Sequence, residues 1–414
     1  MADLQDAGFW TRFVARLTGR HHLQNGEKSP PFTGHSTPSG TVVNAETALK
    51  LSAVWACVRL RAETVSTLPL HLRDAEGRAA EGHPLYGLLH DSPNADMCAA
   101  EFWQAITATQ DLWGNAYARI HRNGVGSVVA LEPLDSEAMT VMREKNGQIA
   151  YRYTKSSKTV DFPESDILHF RGFSLDGIVG LSPIRYAAET FGGQLDANHA
   201  AQHEFKNGLK AGGFLKTGER ILQAEQRDRL RKELQSFSLP ENAGKYMVLE
   251  AGMDIAGNGI RINPADAQLL ESRYFGIEEI CRAFATPPQL IGHTDKASSW
   301  ASSLDGVNMG FLTYAIRPVL VRYEQTIARK LLSASERAKY RPKFSVEGLL
   351  RTDSAARASF YSQMLQNGVF TRNYVRQLEN LPPVEGGDEL TVQVNLTTLN
   401  KVGKSEDQNP ANPA

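Results

Sequence analysis

The stretch from residue 263 to residue 304 reads NPADAQLLESRYFGIEEICRAFATPPQLIGHTDKASSWASSL and decides how the rest of the chain is arranged. Its opening pair, Asn263-Pro264, is typical of a helix start, and Thr286-Pro287-Pro288 is typical of a helix end. In between, an apolar residue recurs every three or four positions, which predicts a helix over Ala265–Ala285 with one narrow apolar face. The residues of that face are Leu270, Tyr274, Ile277, Cys281 and Phe284.

A polar run and a second long helix follow. Residues 292–303 contain almost nothing to bury, so they predict a loop. From Leu304 to Leu332 the apolar period is again helical, with Pro318 inside it. A proline there removes one backbone hydrogen bond and clashes with the preceding turn, so we expect a kink near Tyr314–Pro318. The arrangement presents a loop between two helices, although an ordinary surface loop between core helices has the same pattern.

The composition limits the class of protein. With 414 residues, 41% hydrophobic and 22% charged, the chain can form two or more domains of a soluble protein. Lys and Arg number 45 and Asp and Glu 46, so a net charge of −1 gives no global positive field to attract nucleic acid. Cys57, Cys98 and Cys281 lie singly in apolar patterns, and we expect reduced core residues. No apolar run predicts a membrane span or a signal peptide, so we expect no membrane association.

The N-terminal part is predicted to be an arm followed by a mixed lobe. Residues 1–41 end in a segment rich in Pro, Gly, Ser and Thr, which indicates a flexible arm. Order begins at Asn44, a typical helix cap. In the range 42–181, short helices alternate with runs of alternating polarity, and Asn123-Gly124 and Asn146-Gly147 are hairpin turn signals. We expect an α+β lobe with mostly antiparallel strands.

Two long predicted helices bracket a small insert. Ser182-Pro183 begins the first helix, and Asn207-Gly208 ends it. This helix would be roughly 36 Å long at 1.5 Å per residue. Its apolar seam is thin, which favours packing against a few neighbouring helices. The insert, 208–262, is predicted to hold a charged helix, Ile221–Phe237, and a strand, Lys245–Glu250.

The C-terminal part is predicted to be helical. A strand over Pro342–Val346 is followed by helices over Ser354–Gln366 and Thr371–Glu379. Residues 391–414 end in a polar, proline-containing run, so we expect a mostly disordered tail.

Some motifs resemble phosphate-binding or zinc-binding sites, but each lacks a residue that such a site needs. Gly213 to Gly218 has phosphate-loop spacing, but Glu219 replaces the lysine that would hold phosphate. His199 and His203 lie four apart on a predicted helix, but Ala200 stands where a zinc peptidase has glutamate, and no third ligand is near in sequence. We expect no catalytic site, no cofactor and no bound metal.

Taken together, a set of short strings resembles the portal (head-to-tail connector) proteins of tailed bacteriophages, in the family common among long-tailed phages. The strings occur in order over about residues 42–390, and the arm and tail lie outside them. They are Ser52–Arg59, Glu63–Pro69, Pro93-Asn94, Glu101-Phe102-Trp103, Gly114–Tyr117, Ile167–Phe170, Gly180–Ile184, Phe205–Gly208, Val248–Gly252, Ile280–Phe284 and Pro287-Pro288.

The resemblance implies an α+β portal fold. Its parts would be an α/β wing, a two-helix stem, a small α/β clip, a long kinked helix and a C-terminal helical crown. The implied bounds are wing 42–181, stem helices 182–207 and 263–291, clip 208–262, tunnel loop 292–303, kinked wing helix and strand 304–349, and crown 350–390.

The resemblance also implies a function and a set of sites. Twelve copies would form a ring at one capsid vertex, through which double-stranded DNA passes without sequence specificity. The implied partners are other copies of the chain, the large terminase, the major capsid protein and a head-completion or adaptor protein, with assembly in the host cytoplasm and residence in the virion.

The residues implied for these roles fall into three groups. The DNA-facing tunnel loop contains His293, Thr294, Asp295, Lys296, Ser298, Ser299 and Trp300, although Trp300 could instead anchor the loop to the wing. The clip contact for terminase or adaptor contains Arg227, Arg229, Arg231, Lys232 and Glu233, a set that also fits a solvated helix face. The channel-lining stem residues are Glu189, Asp196, Gln202, Glu204, Glu271 and Glu278.

Two other functions stay open at this point. One is a head-morphogenesis protein that binds partners without forming a channel. The other is an enzyme that processes phage DNA, which would need a clustered acidic metal site that the sequence does not establish.

Overall fold

A computed structural model describes residues 23–206, 214–217, 223–225, 228–229, 253–256, 264–293, 306–346, 354–379 and 381–391. The chain divides into two compact units, Met1–Ser345 and Val346–Ala414. Within the described residues, none of the helices is long and apolar enough to cross a membrane.

The first unit contains eight named α-helices among its described residues. They are α1 (Ala45–Leu49), α2 (Ser52–Ser66), α3 (Pro84–His90), α4 (Ala99–Trp113), α5 (Pro183–Tyr186), α6 (Ala188–Lys206), α7 (Pro264–Ala283) and α8 (Arg317–Leu331).

Its strands are short and antiparallel. They are β1 (Lys28–Ser29), β2 (His35–Ser36), β3 (Val42–Val43), β4 (Leu70–Arg73), β5 (Asn115–Arg122), β6 (Val128–Leu134), β7 (Met139–Arg143), β8 (Ile149–Lys155), β9 (Lys158–Pro163), β10 (Ile167–Arg171), β11 (Phe214–Thr217), β12 (Met253–Ala256) and β13 (Arg341–Phe344). The sheet orders are β1-β7-β8-β9, β10-β5-β6, β11-β12, β13-β4 and β2-β3.

The expected α+β lobe with antiparallel hairpins is confirmed. Met139 pairs with Tyr153 across the β7–β8 hairpin, whose turn contains Asn146 and Gly147. Gly147 has a φ of 85°, the left-handed conformation that glycine adopts at low cost. The β5–β6 hairpin also forms, but its turn extends beyond Asn123-Gly124, because Asn123 accepts hydrogen bonds from the backbone of Val125 and Ser127.

Several sequence-based expectations differ from the structure. Residues 28–29 and 35–36, expected in a flexible arm, pair as β1 with β7 and as β2 with β3. The glycine-flanked run that resembled a phosphate loop is strand β11, paired with β12. The single helix expected from Ser182 is two helices, because Ala187 between α5 and α6 has a φ of −105° and a ψ of 22°.

The long helix near Pro318 is irregular where a kink was expected. Residues Phe311–Ile316 form a π-helical segment immediately before α8. A π-helical segment changes the backbone hydrogen-bond register, as a proline-containing helix must do somewhere before the proline.

One aromatic cluster joins α8 to α4, β10 and β13. The rings of Trp103 and Tyr323 are stacked 5.9 Å apart, and Trp103 also meets Phe170 and Phe344 edge-on. Tyr323 is fully buried, and burial is the leading cause that raises its pKa. Helix α8 is therefore part of the core of this unit.

The second unit contains α9 (Ser354–Gln366) and α10 (Arg372–Leu378) among its described residues. The predicted bounds of α9 are confirmed, and Gly368 follows it with a φ of 67°. The side chain of Thr371 caps α10 by accepting from the backbone of Tyr374. The predicted helix Ile221–Phe237 and strand Lys245–Glu250 lie largely or wholly outside the described residues.

Candidate channel helices and their anchors

The candidate channel elements are α6 and α7, which pack against each other and share one apolar core with α1 and α2. The buried residues that α6 contributes lie in its first half, and those of α7 lie in its last turns. They are Ala188, Phe191 and Leu195 of α6 and Ile280, Cys281 and Phe284 of α7. Among the residues whose burial the structure describes, each helix is therefore buried at one end, against α1 and α2.

Helix α6 is positioned by a junction of three backbone segments. Gly114 ends α4 with a φ of 76°, and Gly172 and Gly180 lie against its backbone so closely that a Cβ on Gly180 would overlap the Gly114 carbonyl. The side-chain amide of Asn115 donates to the Gly180 carbonyl at 2.8 Å and accepts from the Gly180 amide at 2.7 Å. The strings Gly114–Tyr117 and Gly180–Ile184 are thus in direct contact.

His169 completes this junction from β10. Its Nε2 lies 2.8 Å from Asn115 Oδ1, and its Nδ1 lies 3.2 Å from the Tyr151 hydroxyl. Asn115 Oδ1 already accepts from an amide, so Nε2 donates to it and Nδ1 accepts from Tyr151. Burial, with smaller contributions from Arg171 and Lys330, lowers the pKa of His169 well below its usual range. The imidazole is therefore a neutral structural group.

Ser182 links this junction to the start of α5. Its hydroxyl donates to the Leu112 carbonyl at 2.8 Å, and its oxygen also accepts from the backbone of Arg185. Ser182 thus caps α5, as the sequence predicts, and ties that cap to α4. The start of the candidate stem is fixed by hydrogen bonds.

Helix α7 has a separate anchor, the buried pair of Arg61 and Asp111. Arg61 donates to the two carboxylate oxygens at 2.7 and 3.1 Å, and it donates to the Phe284 carbonyl at 3.0 Å. Both side chains of the pair are 8% exposed. Burial alone would lower the pKa of Arg61, but the charge and hydrogen bonds of Asp111 outweigh it and raise that pKa. The cation also lies at the negative end of the α7 dipole.

The end of α7 was predicted at Ala285, and this boundary is wrong by two residues. The helix ends at Ala283, and Ala285 adopts a φ of 50°. The backbone of Thr286 donates to the Cys281 carbonyl at 2.9 Å, the hydrogen bond of a Schellman cap. Glycine usually occupies this position, and an alanine there gives no sequence signal for the stop. A 3-10 turn over Pro288–Ile291 and Gly292 then lead to the predicted tunnel loop.

The predicted channel-lining residues have different environments. Glu189 and Gln202 are exposed on α6. Asp196 instead accepts hydrogen bonds from the hydroxyls of Ser39, at 2.5 Å, and Thr41, and these lower its pKa. Glu278 is half-buried and pairs with Arg282, which also pairs with Glu279. The side chains of Glu204 and Glu271 lie outside the described part of the structure.

Few of the predicted tunnel-loop and clip residues are described. His293 is half-buried, and its ring lies 5.2 Å from that of Tyr274. Thr294, Asp295, Lys296, Ser298, Ser299 and Trp300 lie outside the described residues. Among the clip residues, Arg229 is exposed, whereas Arg227, Arg231, Lys232 and Glu233 lie outside the described residues. Where the structure describes the chain, three or more His, Cys, Asp or Glu residues nowhere form a group that could hold a metal ion.

Sequence reasoning missed the two anchors. Arg61 and Asp111 lie fifty residues apart, and neither position belongs to the strings that carry the resemblance. The only signal was a charged residue among apolar neighbours in each predicted helix. Asn115 was noticed as part of a string, but its contact with Gly180 depends on the fold.

A family model described as phage portal protein matches residues 52–380. The chain belongs to the phage portal protein family. The portal protein of Enterobacteria phage HK97 is 33% identical to it over 407 residues, which cover 97% of this chain and 95% of the relative. The probable portal protein of Streptomyces phage phiC31 is 31% identical, with coverage of 88% and 82%.

Solved structures have a similar fold. A chain in the neck of an empty gene transfer agent particle, computed with C6 symmetry, matches with a TM-score of 0.60 at 26% identity. The match covers 86% of this chain and 97% of the neck chain. An HK97-family portal protein from Corynebacterium diphtheriae has a TM-score of 0.56 at 18% identity, with coverage of 77% and 98%, and this shows the fold alone. The expected portal fold is confirmed.

Proposed function

We propose that this portal-family chain assembles into a ring of twelve copies that forms a channel at one capsid vertex. Double-stranded DNA would enter through this channel during packaging by the terminase motor and leave through it at ejection. Head-completion and tail proteins would attach to the same ring. The observation that carries the proposal is the pair α6 and α7, each anchored in the wing at one end, in a chain that matches portal proteins along most of its length.

A ring needs two different surfaces on each copy that fit each other, because a head-to-tail contact closes only by rotation. Helices α6 and α7 each bury a narrow stripe within the chain, and Tyr274 and Phe275 of α7 are about 60% exposed. Exposed aromatic residues on a helix that already has a packed face favour contact with another copy.

The charge of the two helices favours DNA that slides. Both contain more carboxylates than Lys and Arg, and Arg282 is paired with two glutamates. Each phosphate that a protein neutralises adds affinity and therefore friction. Glu189 and Gln202, which are exposed, fit a wall that repels or ignores phosphate. Asp196 fits this role less well, because hydroxyl groups already occupy its two oxygens.

The proposal assigns the remaining parts as follows. Residues 292–303 form the tunnel loop around DNA, and residues 208–262 form the clip to which terminase and later the adaptor bind. The range 42–181 forms the wing and 350–390 the crown, with the major capsid protein surrounding the ring. We place assembly in the host cytoplasm and the finished ring in the virion.

Electron microscopy and native mass spectrometry of the purified full chain test the ring directly. We expect annular particles with a central opening and a mass of twelve copies. A monomeric globule at high concentration, with no annular density at a vertex of purified heads, would contradict the proposal. A compact oligomer without an opening would favour a head-morphogenesis protein that forms no channel.

A matched pair of loop variants tests contact with DNA. Lys296 is the one basic residue in the loop, and Asp295 beside it has the opposite charge. In a packaging assay with terminase, Lys296→Ala should reduce the amount of DNA packaged and Asp295→Ala should not, because only the lysine can attract phosphate. If deletion of the loop leaves the amount of packaged DNA unchanged, the assigned contact between loop and DNA is refuted. The proposal of a ring would still stand.

A further inference from the structure

Two buried cysteines meet between the wing and the candidate stem. Cys57 lies on α2 and Cys281 on α7, 224 residues apart in sequence, and their sulfur atoms are 3.9 Å apart. Both side chains are at most 1% exposed. A disulfide needs a sulfur–sulfur distance of about 2.05 Å, so the two sulfurs must approach by roughly 1.9 Å. No third group separates them, since they are each other's hydrogen-bond partner.

We infer that Cys57 and Cys281 are a latent disulfide site that links α2 to the last turns of α7 when the protein meets a small peroxide. The inference rests on the fold and on this contact. It holds for an isolated chain as well as for a ring, so it does not depend on the proposed function.

A groove lies beside one of the two cysteines and could bring a small oxidant next to it. It has a volume of about 490 Å³ and is lined by residues of the α7 end, including Cys281 and Thr286, and by residues of the π-helical segment, including Phe311 and Tyr314. Cys57 does not line it. A peroxide entering the groove therefore reaches Cys281 first.

The two thiols also differ in their readiness to react. A thiolate at Cys281 accepts a hydrogen bond from the Cys57 thiol, which lowers the pKa of Cys281 although burial opposes it. The same hydrogen bond, together with burial, raises the pKa of Cys57. The thiolate is the nucleophile, and Cys281 is the member of the pair that lines the groove, so Cys281 attacks and Cys57 resolves.

The chemistry balances with peroxide as the oxidant. The Cys281 thiolate attacks one peroxide oxygen, the oxygen–oxygen bond breaks, and hydroxide leaves, which takes up a proton to become water. The resulting sulfenic acid is attacked by the Cys57 sulfur as its thiol loses a proton, and water leaves with the sulfenic oxygen. Overall, two thiols and one hydrogen peroxide give one disulfide and two waters.

The redox environment decides when the bond forms. A reducing environment keeps the thiols free, whereas an oxidising environment lets the bond form. The cross-link would join two helices that are already in contact. In the unfolded state it would close a loop across 224 residues of sequence separation and so lower the conformational entropy of that state. We therefore expect the oxidised chain to resist heat better.

The test uses the purified full chain treated with hydrogen peroxide under native conditions, then denatured and alkylated. The thiols are counted in the Cys98→Ser variant, because peroxide also oxidises the exposed Cys98 thiol. Two thiols of this variant react before treatment, and we expect none to react afterwards. Peptide mass spectrometry should find Cys57 joined to Cys281, non-reducing gels should show faster migration, and the melting temperature should rise until dithiothreitol reverses it.

Single variants separate this reaction from others. Cys98→Ser should leave the cross-link unchanged, and Cys281→Ser should abolish it. Cys57→Ser should instead trap sulfenic acid at Cys281, which dimedone labels. Two reactive thiols in Cys98→Ser after peroxide treatment, or a cross-link through Cys98 in the unaltered chain, would overturn the inference. If a serine variant fails to fold, the peptide map of the unaltered chain still decides.

Discussion

The substitution Asp111→Asn tests whether a buried ion pair holds the end of α7. It removes the negative charge but keeps the size of the side chain, so the Arg61 guanidinium stays buried without a counter-charge. Removing one partner of a buried pair destabilises a protein by about 3–5 kcal/mol. Arg61 also donates a hydrogen bond to the Phe284 carbonyl, and Asp111→Asn would weaken this bond by letting the guanidinium shift.

A surface pair in the same chain is the matched control. Arg152 and Asp161 form two hydrogen bonds of 2.7 and 2.6 Å, so their geometry resembles that of the buried pair. Their side chains are 37% and 51% exposed, against 8% for each member of the buried pair. Solvent screening leaves such an exposed pair with little effect on stability. Asp161→Asn should therefore have a small effect, and burial alone accounts for the difference.

Urea unfolding followed by tryptophan fluorescence measures both variants, and Trp113 reports from the same helix as Asp111. The paired replacement Arg61→Leu with Asp111→Leu should recover most of the loss, because apolar side chains replace a buried pair at little cost. The recovery should fall short by about 1 kcal/mol for the lost hydrogen bond to Phe284. Equal effects of Asp111→Asn and Asp161→Asn would refute the reasoning.

Three further predictions concern helix α6 and the junction at its start. Gly192→Ala should lower the melting temperature, because its Cβ would overlap the side chain of Thr37. Gly193→Ala has open space around it and should raise the free energy of unfolding by up to about 1 kcal/mol. Equal shifts of the melting temperature in the two variants would contradict this. Gly180→Ala should abolish soluble folded protein, since its Cβ would overlap backbone, and a normal expression yield would contradict it. The buried neutral His169 should make stability fall as pH drops below its unfolded pKa of 6.5, by at most about 1.4 kcal/mol per pH unit, because only the unfolded state takes up the proton. Urea unfolding at pH 7 and pH 5 measures this, and His169→Gln should flatten the dependence; an unchanged slope would refute it.

Local signals in the sequence predicted much of the fold. The β7–β8 hairpin follows from a turn dipeptide between two runs of alternating polarity, and the start of α5 follows from Ser182 before a proline. These features are local, because the residues that decide them lie within a few positions of each other.

Features that depend on distant residues were not predictable. Asp196 was expected to line a channel, but the fold brings Ser39 and Thr41 to its carboxylate from more than 150 residues away. Likewise, pairing with β7 orders β1, although the composition of that segment indicates flexibility. Tertiary contacts outweigh local preference at these positions.

The candidate site was predictable only in outline. Helical period and turn residues indicated two helices and a loop between them, whereas the anchors need Arg61, Asp111 and Asn115 to meet partners on other elements. Periodicity reports which face of a helix is buried, but it carries no information about which distant group fixes the end of that helix.

The left-handed backbone of Ala285 has a consequence for the segment that follows it. An L-residue adopts this conformation at a cost of about 1–2 kcal/mol, so contacts elsewhere must impose it. Arg61 supplies one of these contacts by holding the adjacent carbonyl. The direction in which the chain leaves α7 is thus set by Arg61 of α2. A graft that replaces residues 294–303 with those of another portal protein would therefore start from the same position and direction.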